Sequence, residues 1–202
     1  MIIILSAPSG CGKSSIAKKL LETDTNLVLS ISATTRQPRP GEIDRVHYFF
    51  KTKDDFKKLH YLESAEIYGN FYGTPREFVE KKLLEGRDVL FDVDSQGAYQ
   101  IIDFFRNSTS ASEASFERSL MKAVKTKVVS IFILPPDIET LRKRMLDRGQ
   151  DSQSVIELRL KKAKSEVQQA KHYDYTVIND DFDQAVKEIQ TIILSQRSKK
   201  NI

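Results

Sequence analysis

The most specific chemistry in the chain sits near its start, in Ala7-Pro8-Ser9-Gly10-Cys11-Gly12-Lys13-Ser14-Ser15. The run follows a short apolar segment and precedes a helical pattern, the setting in which a phosphate-binding loop works. Gly10 and Gly12 permit sharp turns that aim backbone N–H groups at an anion with no Cβ in the way. Lys13 brings a point charge to the outer phosphates, and Ser14 offers a hydroxyl to a divalent cation. The helix start behind the loop adds the positive end of its dipole. The pattern ordinarily opens on Gly and here opens on Ala7, while its remaining positions fit. Cys11 reads as a tolerated variable position rather than a reactive thiol beside Lys13.

The same chemistry asks for an acid and for further cations. Val89-Leu90-Phe91-Asp92-Val93-Asp94 ends an apolar run on carboxylates. Asp92 is placed to hold Mg²⁺ or its waters and to balance Lys13, and two-residue alternation puts Asp94 on the same side. Arg36 and Arg39 flank Pro38 and precede Pro40, where a rigid loop can preset two guanidinium forks for a phosphate. Arg142, Arg144, Arg148 and Arg159 form a second basic group. Asp137 to Arg148 reads as a helix after Pro135-Pro136, capped by Gly149, with Arg144 and Arg148 on one face. For Arg142 and Lys143 a solvated face paired with Glu139 and Asp147 is a serious competing reading.

These groups must be positioned by a core. Continuous apolar runs at Ile2–Leu5, Leu27–Ile31, Val89–Val93, Val128–Leu134 and Tyr175–Ile178 read as strands of a parallel sheet covered on both faces. Helical patterns lie between them: Ile16, Ala17, Leu20 and Leu21 after Lys13, and Phe182, Ala185, Val186, Ile189, Ile192 and Ile193 near the end. Strands alternating with helices predict an α/β fold, a parallel sheet flanked by helices. Two stretches break the rhythm: a polar, Arg/Tyr/Gly-rich excursion over 33–74, and residues 107–126, which read as an insertion with a Phe116, Leu120, Val124 stripe. That stripe suits an exposed helix or a subunit contact as well as a loop, so a homo-oligomer stays open.

The 202 residues suit one domain, with 40% hydrophobic and 30% charged residues. That apolar content excludes disorder as the main state, and no run approaches the ~20 apolar residues of a membrane span. A single cysteine excludes an intrachain disulfide and points to the reducing cytoplasm. The net charge of +4 permits an anionic partner without choosing one. The cations cluster around Lys13, Arg36/Arg39 and Arg144/Arg148/Arg159, which favours nucleotides over nucleic acid. A guanine-reading Asn-Lys-x-Asp run is absent, against a GTPase. A small chain with two arginine groups beside a phosphate loop suggests transfer between two nucleotides.

Ser32-Ala33-Thr34-Thr35-Arg36-Gln37-Pro38-Arg39-Pro40-Gly41-Glu42, followed by Tyr48 and Phe50, closely resembles the guanylate kinase signature. So do Ser6 to Gly10, Gly69-Asn70-Phe71-Tyr72-Gly73-Thr74, Asp92 to Asp94 with Gln96-Gly97, Arg148-Gly149 and Val177 to Asp181, in order along nearly the whole chain. The resemblance implies transfer of the γ-phosphoryl group of ATP to GMP and dGMP, with Mg²⁺. It implies a GMP-binding part at 33–74, a lid near 141–159 and a core at 1–32, 75–140 and 160–202.

The resemblance also distributes roles. Arg36, Arg39, Tyr48 and Tyr72 would hold the GMP phosphate, and Ser32, Glu63, Thr74 and Asp94 would read guanine. A carboxylate at Glu63 suits guanine's donor edge and repels adenine's acceptor edge. Ser9, Gly10, Cys11, Gly12, Lys13, Ser14 and Ser15 would cradle ATP, and Asn179 resembles the position that approaches its adenine. Ser14 and Asp92 would serve the metal. Lys13, Arg36, Arg144, Arg148 and Arg159 would carry catalysis by spreading charge. Kinases of other monophosphates and non-catalytic modules of guanylate-kinase type are the alternatives; the latter lose the phosphate loop and lid arginines present here.

Three readings stay open in the sequence. Arg45 stands where the signature usually has Gly. The segment from Phe56 to Glu63 is short, leaving Glu66 as a rival to Glu63. Thr74-Pro75-Arg76-Glu77 also reads as a helix start, with Thr as N-cap, Pro at N1 and Glu at N3.

Overall fold

The computed structural model describes residues 1–106, 126–149 and 152–199. The expected insertion at 107–126, with Phe116, Leu120 and Val124, lies outside the described residues except for Thr126. Five strands, β1 (Ile2–Ser6), β2 (Leu27–Leu29), β7 (Asp88–Asp92), β8 (Val128–Leu134) and β9 (Tyr175–Ile178), form a sheet of order β2-β7-β1-β8-β9. The pairs β2–β7 and β8–β9 are parallel. Every residue of β1 is buried, as are the first four of β7 and the middle five of β8. Burial on both faces is the physical reason these runs are continuously apolar, and it bears out the α/β expectation.

Strand ends differ from the sequence reading. Strand β2 stops at Leu29, and β7 stops at Asp92. Asp94 therefore lies beyond the strand, just before α4 (Ser95–Arg106), and the alternation that paired it with Asp92 does not reach it.

The chain divides into two compact units. The first comprises Met1–Ile2, Asn26–Phe91 and Gln96–Val128. Its excursion, expected only as a polar departure from the sheet, is a second sheet of order β4-β3-β6-β5. The strands are β3 (Ala33–Thr34), β4 (Phe49–Phe50), β5 (Tyr61–Ile67) and β6 (Asn70–Pro75), with α2 (Lys53–Lys57) before β5. Strands β5 and β6 form a hairpin around Tyr68 and Gly69, both at positive φ, the geometry of a tight two-residue turn. Phe56 is buried and stacks on Tyr61 at 4.3 Å and Phe71 at 5.7 Å, giving the small sheet its own apolar face.

After β6 comes α3 (Arg76–Leu84), one residue later than a Thr74 cap implies. Pro75 takes the cap position with no side-chain bond, and the Thr74 hydroxyl is engaged elsewhere, so the capping reading of Thr74 is corrected.

The second unit comprises Ile3–Thr25, Asp92–Ser95 and Val129–Ile202. Helix α1 (Lys13–Thr23) buries Ile16, Ala17 and Leu20, and α7 (Phe182–Ser198) buries Ala185, Val186, Ile189 and Ile193. Gln190 on Thr23 at 2.9 Å and Arg197 on Asp24 at 2.7 Å join the two helices. Helix α5 (Ile138–Arg148) starts at Asp137, whose side chain accepts from the Thr140 N–H, and ends at Gly149 in the left-handed region. Helix α6 (Gln153–Val167) follows, tied to α5 by Arg142 on Glu157. Among the described residues no helix is long and apolar enough to cross a membrane.

Arg45 adopts φ +64, the conformation that glycine holds without strain, and its N–H donates to the Tyr48 carbonyl at 2.7 Å. The turn into Tyr48 thus keeps a left-handed residue although the side chain changed. Arg45→Gly is expected to stabilise the fold by about 0.5–1 kcal/mol, the left-handed penalty of a Cβ less the extra unfolded-state entropy of glycine. Thermal unfolding measures this, and a lowered midpoint contradicts the account.

Candidate functional site

The first cluster surrounds the loop between β1 and α1. Gly10 and Gly12 have φ +89 and +83, and Gly12 is the residue on which α1 begins. Space as well as conformation selects glycine. A Cβ on Gly10 would lie 2.9 Å from Met145 Cε, and one on Gly12 would lie 2.7 Å from Asn179 Nδ2. Ser9, Gly10, Ser14 and Ser15 are exposed, leaving the loop and the start of α1 open to an anion.

The Lys13 ammonium is held from below. It donates to the Val93 carbonyl at 3.0 Å and pairs with Asp92, and Ser6 Oγ donates to the same carbonyl at 3.0 Å. The end of β7 therefore meets the loop, as an acid opposite Lys13 was expected to. Asp94, two residues on, is exposed. Cys11 is 1% exposed, and burial pushes its thiol up to about 12. The nearby Arg144 charge pulls the other way without reversing the shift. A thiol so raised stays protonated and unreactive, which agrees with its reading as a variable position.

The arginines of α5 and α6 have different fates. Arg142 pairs with Glu157 and lies 3.5 Å from Glu139, so the solvated-pair reading holds for it. Arg144 donates to the carbonyls of Asn179 at 2.7 Å and Asp180 at 3.0 Å. Arg148 is exposed at the end of α5, and Arg159 is half-buried on α6. Asn179 is buried, and its Nδ2 donates to the Cys11 carbonyl at 2.8 Å.

The second cluster lies on the four-stranded sheet. Tyr72 and Thr74 are two apart on β6 and share a face. Around Thr74, its hydroxyl donates to Glu63 Oε1 at 2.7 Å and lies 3.2 Å from Ser32 Oγ. Glu63 stands directly opposite Thr74 in the β5–β6 register. Glu66 pairs instead with Phe71 and is exposed, so the geometry joins Glu63, not its rival, to this chain of bonds. Gly73 makes the approach possible, since a Cβ there would lie 2.9 Å from the Glu63 carbonyl oxygen.

Around Tyr72, the Arg36 guanidinium lies 5.6 Å from the Tyr48 ring centre, and the Tyr48 and Tyr72 rings meet edge-on at 6.2 Å. Burial raises the Tyr48 phenol and keeps it a neutral donor. Sequence reasoning quoted Glu42 within the signature but gave it no role. Arg39-Pro40-Gly41-Glu42 is a β-turn closed by the Glu42 N–H on the Arg39 carbonyl at 3.0 Å, with Gly41 at φ +86. The turn brings the Glu42 carboxylate onto Arg36, with Nη1 to Oε2 at 3.0 Å and Nη2 to Oε1 at 2.8 Å.

Glu42 also accepts from the Arg39 N–H at 2.7 Å, while the Arg39 side chain is exposed. Arg36 Nη1 further donates to the Gln37 carbonyl at 2.7 Å. Three of the five guanidinium donors are then engaged. The guanidinium is hydrogen-bonded to the Tyr72 phenol as well, which ties the arginine to the second tyrosine. The Arg36 bond, followed by the Arg39 N–H, holds the Glu42 carboxyl down at about 2. The Pro-Gly pair with an acid after it was a legible turn signal.

A loop of open backbone donors with a lysine, and a separate cluster of arginine, tyrosines and a carboxylate-linked Thr–Ser pair, are suited to phosphates and to a hydrogen-bonding base. Comparison with known proteins agrees. Residues 1–107 and 115–196 match the family model described as guanylate kinase. A guanylate kinase of Rickettsia felis is 49% identical over 203 residues, 98% of this chain and 95% of that protein. One of Rhizobium johnstonii is 42% identical, covering 100% of this chain and 84% of that protein. The crystal structure of a guanylate kinase from Anaplasma phagocytophilum has a TM-score of 0.67 and 33% identity, covering 99% of this chain and 87% of that chain. On the phosphate loop, the signature over 32–42 and this full-length similarity, the chain belongs to the guanylate kinase family.

Proposed function

We propose that the chain transfers the γ-phosphoryl group of ATP to GMP, and to dGMP, giving ADP and the diphosphate in the cytoplasm. The observation that carries this is its membership of the family along almost its whole length. The residue roles below are the reading that the geometry supports.

The loop of residues 9–15 and the start of α1 take the β- and γ-phosphates of ATP, and Lys13 exchanges Asp92 for the γ-phosphate as its counter-ion. Ser14 and Asp92 are hard oxygen donors, and among the described residues no group of three or more acids, histidines or cysteines forms a metal cage. That sparse donor set suits Mg²⁺, which keeps most of its shell from phosphate and water. Bound there, it neutralises phosphate charge.

On the small sheet, Arg36, the hydroxyls of Tyr48 and Tyr72, and Arg39 hold the GMP phosphate. Thr74, Ser32 and Glu63 face the base, with Asp94 as a further contact. Tyr72 and Thr74 are about 7 Å apart by ordinary strand rise, a spacing that suits one nucleotide laid along β6. Glu63 accepts from guanine N1–H and N2–H and opposes adenine's acceptor N1.

Transfer needs no protein nucleophile. A GMP phosphate oxygen attacks the γ-phosphorus in line, and Lys13, Arg36, Arg144, Arg148 and Arg159 spread the charge of the transferring group. Closure of 33–74 and of the lid near 141–159 excludes water as a competing acceptor.

Incubation of the protein with ATP, Mg²⁺ and GMP is expected to yield GDP, with GMP preferred over AMP, UMP and dTMP. Lys13→Ala is expected to lower kcat/KM by about 10²–10³-fold. Glu63→Ala should erode the preference for GMP over AMP by roughly 10- to 100-fold. Absence of GDP from the wild type, or a better rate with another monophosphate, refutes the assignment.

Glu42 supplies a second test. Its carboxyl is depressed in the folded state, so its contribution is complete above the ordinary value near 4.5 and disappears as pH falls toward about 2. Through pH 5–8 Glu42 stays ionised, so its own titration contributes no change of KM for GMP near pH 6. Glu42→Gln is expected to raise KM for GMP about tenfold, through loss of the charge-assisted hold on Arg36, and to leave KM for ATP unchanged. An equal rise in both constants, measured across that pH range, contradicts the role.

A further inference from the structure

We infer that Asn179 is a positioning residue for the phosphate loop, and that it acts on ATP through the triphosphate and independently of the base. This rests on the reading of residues 9–15 as the ATP phosphate site.

Asn179 follows β9 directly, and its own N–H donates to the Leu134 carbonyl at 2.8 Å, continuing the β8–β9 ladder. The residue is therefore fixed to the sheet before its side chain reaches anything. That side chain reaches across 168 positions of sequence to the Cys11 carbonyl, with Nδ2 donating at 2.8 Å. Gly12 lies immediately beneath, where a Cβ would come within 2.7 Å of Nδ2, so the amide packs directly on the loop backbone.

The consequence is geometric. In a planar trans peptide the C=O and N–H point in opposite directions. Anchoring the Cys11 carbonyl therefore fixes the direction of the Gly12 N–H, one of the donors an anion in this loop requires. Arg144 reinforces the anchor from the other side, with its fork on the Asn179 and Asp180 carbonyls. Asp181 next caps α7 by accepting from the Gln184 N–H.

Asn179 is poorly disposed to read a base. It is 5% exposed, Nδ2 is already engaged, and Oδ1 is buried with no hydrogen-bond partner among the described residues. An acceptor left unpaired is the penalty of an amide orientation that serves the loop. An isosteric carboxylate would place a second acceptor against the Cys11 carbonyl, so Asn179→Asp removes the latch with almost no change of shape.

The test uses the full chain with Asn179→Ala and Asn179→Asp. Dissociation constants are measured for ATP, GTP and inorganic triphosphate, together with GMP binding and thermal melting. Loss of a buried bond to a carbonyl predicts that both variants weaken ATP, GTP and inorganic triphosphate by the same factor, about 10- to 100-fold. GMP binding should be unchanged, melting should stay cooperative with a lowered midpoint, and the Gly12 amide should gain solvent exchange in both variants. Weakening of ATP alone, with triphosphate bound as by the wild type, overturns the proposal in favour of a base contact. Loss of folding or of GMP binding by both variants overturns it in favour of a general structural role. A wild type that binds triphosphate no better than Lys13→Ala instead refutes the phosphate-loop reading on which the inference stands.

Discussion

Each half-buried cation must be held in place and balanced by the protein itself, and much of this structure follows from that constraint. Lys13 rests on Asp92 and on the Val93 carbonyl. Arg36 rests on Glu42 and on the Gln37 carbonyl. Arg144 rests on two carbonyls after β9. An unpaired charge in so little solvent would be costly. The internal partners keep each cation near one orientation.

The two kinds of partner differ in consequence. A carboxylate such as Asp92 competes for the same face of Lys13 as an incoming phosphate. Glu42 takes the end-on fork of Arg36 with two bonds and so orients the guanidinium. Backbone carbonyls carry no net charge and cannot be titrated, which suits them to fastening Arg144 regardless of pH.

Backbone placement supplies the rest. Glycines at positive φ let the phosphate loop turn twice before α1, and the surroundings at Met145 and Asn179 leave no room for a Cβ. On the small sheet, strand β6 does the equivalent work, because alternation places Tyr72 and Thr74 on one face and the β5 register sets Glu63 against Thr74. Gly73, between them, lets β5 approach closely enough for that pair to bond.

Patterns within short windows were legible in the sequence. Continuous apolar runs located the five strands of the parallel sheet, because a strand buried on both faces has no polar alternative. The loop from Ala7 to Ser15, the capped helix from Asp137 to Gly149 and the arginine groups could all be read, since dihedral demands and charge are properties of neighbouring residues. The small sheet escaped, because β3 and β4 are two residues long and β5 and β6 place Glu63, Tyr72 and Thr74 where a core strand would place apolar side chains. Thr74 looked like a helix cap until its hydroxyl was found on Glu63. The sequence by itself thus determined the fold class, the glycine-rich loop between β1 and α1 and the family signature over 32–42. Only the tertiary structure decided which residues meet: Glu63 rather than Glu66 with Thr74, Glu42 with Arg36, Asn179 with Cys11. Those pairings depend on strand register, a turn and the order of strands in a sheet, none of which leaves a period to read in the sequence.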